Sequence, residues 1–93
     1  MPTYLVSYDL YAPKQDYQSL IERIKKFPSH CKVADSTWLI GTSFSSSEKV
    51  FDKLIRFLDE DDILFVIETT DDFYMSNADT KIKIVERIMD KYH

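Results

Sequence analysis

The chain predicts an α+β sandwich built on one sheet, and three observations carry that expectation. Apolar β-runs and amphipathic helical stretches follow one another in the order β-α-β-β-α-β, with a further helical stretch behind them. The 93 residues, 44% apolar and 14% aromatic, suffice for one domain around one core. A single glycine, Gly41, means that turns needing positive φ are few or rest on Asp and Asn.

The first strand is Tyr4 to Leu10, an apolar, aromatic-rich run with Asp9 near its end. Tyr4, Val6, Tyr8 and Leu10 share one side of it, and Leu5, Ser7 and Asp9 the other. The bulkier set is assigned to the helices, so Asp9 looks out from the second face. Helical periodicity follows from Asp16 to Phe27, with Tyr17, Leu20, Ile21, Ile24 and Phe27 on one side. Asp16 is the expected N-cap and Pro28 the stop. Two short strands come next, Cys31–Ala34 and the stronger Thr37–Ile40, separated at Asp35-Ser36 by a tight turn or a bulge. The run Ser45-Ser46-Ser47-Glu48 reads as an S-x-x-E capping box. It opens a second helix to about Leu58, with Val50, Phe51, Leu54, Ile55, Phe57 and Leu58 on a broad apolar face.

Acids from Asp59 to Asp62 form a linker. Ile63–Ile67 is then a continuous apolar run, the pattern of a central strand covered on both faces. A third helix is capped by Ser76 or Asn77 and carries Ile82, Val85, Ile88 or Met89, and Tyr92 along one side. The order is that of a ferredoxin-like βαββαβ sandwich with an additional C-terminal helix. Residues 1–93 form one domain, its core about 3–70 and its helical extension about 76–92. Two helices cover one sheet face; the other needs the third helix or a second subunit.

Composition narrows the function. A net charge of −4 argues against broad, sequence-independent binding of nucleic acid, while allowing a local basic patch or a metal. Cys31 is the single cysteine, so no internal disulfide forms and a reducing compartment fits. His30 beside it points to the opposite face of a strand, which argues against a thiol–imidazole pair. The opening Met1-Pro2-Thr3 lacks the pattern of a signal peptide, and no apolar run reaches the roughly 20 residues of a membrane span. The expectation is a cytoplasmic protein with no membrane partner.

Asp9 has two readings: an acid bonded to the turn Tyr11-Ala12-Pro13-Lys14, or a site acid at a strand-to-helix junction. His93 is expected at a frayed end, remote from His30. Asp71-Asp72 reads as a solvated pair or a cation contact. The tyrosines near the first strand are packing groups or base-stacking platforms.

The strand ending in Tyr8-Asp9, the element order and the Ser36-x-Trp38 opening of the third strand resemble the CRISPR-associated protein 2 superfamily. That superfamily also takes in the virulence-associated protein D ribonucleases. The resemblance covers roughly Thr3 to Thr70. It implies a ferredoxin-like homodimer whose strand-end acids face each other across a two-fold axis. It also implies, in some members, magnesium- or manganese-dependent cleavage of RNA or DNA; other members bind nucleic acid without cutting it. Carried over, Asp9 is the metal-linked catalytic acid, Tyr8 its neighbour, and Ser36 lies near the same cleft, whereas Trp38 packs. Tyr8, Tyr11, Lys14 and Ser36 are the candidate cleft or nucleic-acid contacts. The chain departs from the pattern in being acidic and in carrying a helix where the family commonly has a closing strand. The alternative to a nuclease is a non-catalytic dimeric scaffold that binds nucleic acid or a protein partner.

Overall fold

Strand β1 (Thr3–Asp9) alternates as its sequence demands, with Tyr4, Val6 and Tyr8 buried on one face. The computed structural model describes residues 2–11, 17–76 and 81–93. The expected N-cap Asp16 and the contact Lys14 lie outside the described residues. Helix α1 is Gln18–Ile24, shorter than its apolar periodicity, with Leu20 and Ile24 buried. A turn carries the chain through Phe27, whose N–H donates to the Ile24 carbonyl.

Strand β2 is Ser29–Ala34 and β3 is Thr37–Gly41. β2 begins two residues earlier than expected, directly after Pro28. The two-residue link between them places Ser36 at φ 56°, so a serine does here what only Asp or Asn was expected to do. The register also shifts between Lys32 and Ala34, so a turn and an irregularity occur together.

Helix α2 (Ser47–Leu54) starts one residue later than the capping box proposed. Ser46 is its N-cap, and Ser46 Oγ accepts from the Lys49 N–H at 3.2 Å. The third residue of the helix is therefore Lys49, and Glu48 serves only as negative charge in the first turn. A 3-10 turn, Ile55–Phe57, follows.

Strand β4 is Ile63–Thr69. The sheet order is β2-β3-β1-β4, and each neighbouring pair is antiparallel. β4 is thus an edge strand, which corrects the expectation of a central one covered on both faces. Its alternate residues Ile63, Phe65 and Ile67 are 60%, 55% and 46% exposed. An uninterrupted apolar run reports two apolar faces; it does not report whether both are covered within one chain.

The two sheet faces hold two cores. On the first, Tyr4, Val6 and Tyr8 of β1 and Trp38 and Ile40 of β3 meet Leu20 and Ile24 of α1 and Val50 and Leu54 of α2. Phe27 and Phe44 close one end edge to face, their centroids 5.8 Å apart. On the second, helix α3 (Lys81–Tyr92) lays Val85, Ile88, Met89 and Tyr92 over Cys31 and Leu39. Of its two expected caps, Asn77 falls outside the described residues and Ser76 stands in a bend ahead of the helix. α3 covers β2, β3 and the Thr3 end of β1, with Phe73 and Met75 packed beside it, and the remaining β1–β4 part of that face carries Leu5, Ser7, Asp9, Ile63, Phe65 and Ile67. The result among the described residues is an α+β domain with a four-stranded antiparallel sheet and three helices. No described helix is long and apolar enough to cross a membrane.

Candidate functional site

Asp9 is the last residue of β1 and pairs across the ladder with Ile63. It is exposed, and among the described residues its carboxylate makes no hydrogen bond or ion pair. The turn after β1 is tied down by another acid. Tyr11 N–H donates to Asp62 Oδ1 at 2.8 Å, and Asp59 N–H donates to Asp62 Oδ2 at 2.8 Å. Asp62, read in sequence only as part of a linker, therefore has the local turn role considered for Asp9. Nothing in its acidic run distinguishes it from its neighbours, so this role had no sequence signal.

Tyr8 and Ser36 come to the same end of the sheet. Tyr8 N–H donates to the Ser36 carbonyl at 3.1 Å. A shallow hollow of about 410 Å³ is lined there by Tyr8, Asp9, Tyr17, Lys32, Asp35 and Ser36, among others. Tyr8 itself is 8% exposed, and its hydroxyl oxygen accepts from Trp38 Nε1 at 3.3 Å. Tyr8 and Trp38 are thus core groups, and the Tyr8 hydroxyl oxygen gives the buried Trp38 N–H its acceptor. Tyr11 is 77% exposed and open to contact.

The corner is electronegative. The Tyr17 hydroxyl is held above its usual range, first by burial and then by the negative fields of Asp62, Asp59 and Asp9. Such a field favours a cation and opposes a phosphate. Yet no group of three His, Cys, Asp or Glu is placed to hold a metal among the described residues. Among the described residues the hollow is lined by two carboxylates, Asp9 and Asp35, together with Lys32. Magnesium is held by one or two carboxylates plus waters, so Asp9 alone is a weak site and a second carboxylate beside it would make a firmer one.

The other candidates separate. His30 Nδ1 lies 3.3 Å from the Phe27 carbonyl oxygen, while Cys31 sits in the second core, so strand alternation keeps them apart. Burial raises the Cys31 thiol, and the charge of Lys81 opposes that in part. His93, expected to fray, is tied instead. Its N–H donates to the Met89 carbonyl at 2.9 Å, and its Nε2 lies 2.8 Å from Thr3 Oγ1. Thr3 Oγ1 also lies 2.6 Å from Thr69 Oγ1, a polar knot that joins β1, β4 and the end of α3. Asp71 and Asp72 are exposed.

No protein-family model, curated protein or solved structure matches this chain.

Proposed function

We propose that this chain is a non-catalytic scaffold that works as a homodimer, with the bare half of its second sheet face as the assembly surface. One observation carries the reading: Ile63, Phe65 and Ile67 stand in a row beside Leu5, about half exposed, on the part of the face that α3 leaves open beyond β2, β3 and the Thr3 end of β1. Apolar rows of this kind are normally buried against a partner. A two-fold pair is the commonest way to bury one face against itself. The strand order also fits a ferredoxin-like sandwich, and the resemblance to the CRISPR-associated protein 2 superfamily supports the same assembly.

A second reading is a magnesium- or manganese-dependent endonuclease acting on RNA or DNA. It is favoured by the position of Asp9 on this same face, in register with Ile63. A two-fold pair would bring two such acids toward one another, where each carboxylate raises the cost of ionising the other and a hard cation offsets it. The electronegative corner and the net charge of −4 weigh against phosphate binding in the absence of a cation, which places the scaffold first.

Light scattering at micromolar concentration tests the dimer. The expected mass is twice the 11.0 kDa chain, and Phe65→Arg is expected to halve it. A monomer of the unaltered chain rejects both readings. Incubation with single- and double-stranded RNA and DNA, with magnesium, manganese or chelator, then separates them. Cleavage that Asp9→Asn abolishes selects the nuclease, and absence of cleavage selects the scaffold.

A further inference from the structure

The two edges of the sheet are treated differently. Edge strands expose unpaired N–H and C=O groups, and proteins usually block them with Pro, Lys, bulges or a covering element. β2 has all four: it follows Pro28, carries Lys32, shifts register between Lys32 and Ala34, and lies under α3. β4 runs seven residues from Ile63 to Thr69 with no Pro, Lys or Arg and an unbroken register.

The free groups of that edge can be named. Thr42 N–H donates to the Pro2 carbonyl, and Tyr8 N–H donates to that of Ser36. Even-numbered residues of β1 therefore bond toward β3. Antiparallel ladders alternate, so odd-numbered residues of β1 bond toward β4, to Ile63, Phe65, Ile67 and Thr69. The backbone N–H and C=O of Leu64, Val66 and Glu68 are left pointing away from the sheet.

Charge selects what would pair there. Asp59, Glu60 and Asp61 precede the strand, Asp71 and Asp72 follow it, and all five are exposed. No Lys or Arg occurs from residue 57 to residue 80. Of the basic groups nearest in sequence, Lys53 and Arg56 belong to the helical layer on the opposite face, and Lys81 begins α3, which lies over β2 and β3. A second β4 fits poorly, because a two-fold pairing centred on Val66 sets Asp61 against Asp71, like against like. The same acids repel a nucleic-acid backbone.

We propose that the free edge of β4 accepts an extended peptide segment as an added strand, one with alternating apolar residues and Lys or Arg at both ends. The backbone bonds give affinity, the alternate apolar side chains continue the row Ile63, Phe65, Ile67, and the basic ends meet the flanking acids. These bonds lie in the plane of the sheet, so the segment adds whether or not a second copy covers the face.

The test uses the full chain and a fluorescent synthetic peptide of about nine residues, the length of a typical strand and its flanks. The peptide has a Val-Thr alternating core and two Lys at each end; a control carries Glu in place of Lys. Anisotropy titration is expected to show binding of the basic peptide alone, weakening about tenfold between roughly 0.05 and 0.5 M salt. Val66→Pro removes the central edge N–H while sparing the bonds to β1, and is expected to abolish binding with a cooperative melt retained. Asp61→Lys combined with Asp71→Lys, both on exposed positions, is expected to weaken the basic peptide at least about tenfold and to admit the acidic one. The proposal is overturned if both peptides bind alike or the basic one does not bind. It is equally overturned if the charge-reversed variant binds as before, or if single-stranded RNA displaces the peptide. A doubled mass that Val66→Pro halves would assign the edge to a second copy, which also rejects the proposal. Loss of the face dimer in Phe65→Arg with peptide binding intact would leave it standing.

Discussion

At Gly41 the backbone of β3 runs directly beneath the ring of Tyr92, and a Cβ built there would collide with that ring. The sole glycine is therefore spent on a close approach between strand and helix, while the one described non-glycine residue at positive φ is Ser36. The two positions predict opposite outcomes. Gly41→Val should displace Tyr92 and cost about 1–3 kcal/mol, as overpacking does. For a domain this size that lowers Tm by roughly 4–8 °C per kcal/mol. Tyr92→Ala in the same chain should recover part of the loss, and a simple sum of the two single losses would exclude the contact as its cause. Ser36→Gly removes the left-handed penalty and should stabilise by about 0.5–1 kcal/mol in urea melts. An unchanged or lower midpoint would mean that the serine side chain holds the turn.

Among the elements, α3 completes the second core over β2, β3 and the Thr3 end of β1 and leaves the rest of β1 and β4 open on that face. Four of its side chains, Val85, Ile88, Met89 and Tyr92, are at most 6% exposed. Each large buried side chain is worth roughly 1.5–3 kcal/mol, against a total of about 5–15 kcal/mol for a domain. Ending the chain before Lys81 is therefore expected to give insoluble protein, and a soluble product with an unaltered melt would show that α3 is dispensable. The helix's inward face was readable from its spacing, as was the division of β1 into a helix-facing and an Asp9-bearing side, because both periods follow from backbone geometry alone. β4 was misread because hydrophobic runs encode what should be buried, and the partner that buries it need not lie in the same chain. The cap of α2 was missed by one residue, since Ser45, Ser46 and Ser47 are chemically alike and only the backbone path selects Ser46. At the candidate site Asp9 at the strand end was readable, whereas Ser36 was placed beside it and Tyr8 only by the family resemblance, and the three line one hollow. The turn role of Asp62 and the Thr3–Thr69–His93 knot were not readable, because they join residues far apart in sequence and no period marks them.

Across the whole molecule, the two faces of the sheet each bury an ionisable group in its neutral form. Tyr4 lies in the first core, fully buried, its hydroxyl donating to the Phe44 carbonyl at 2.9 Å; burial and then the charge of Glu68 hold it above the usual phenol range. Cys31 lies in the second core and is raised by burial. Both groups release their protons more easily from the unfolded chain than from the folded one. Between the two values the unfolded state binds fewer protons, so stability falls as pH rises. The contribution is complete below the ordinary thiol value near 8.5 and is lost progressively above it, with the phenol adding its part above about 10. Stability measured by urea melts should therefore be flat from neutral pH to about 8 and then decline. Cys31→Ala should remove the first part of the decline and Tyr4→Phe the second, even though Tyr4→Phe lowers the neutral-pH midpoint by leaving the Phe44 carbonyl without its donor. Because the two groups sit on opposite faces, their effects should add in the double variant. A decline of equal size in that double variant would assign the alkaline limb to the Tyr17 phenol and to the growing net negative charge of an already acidic chain, and would sever it from the two cores.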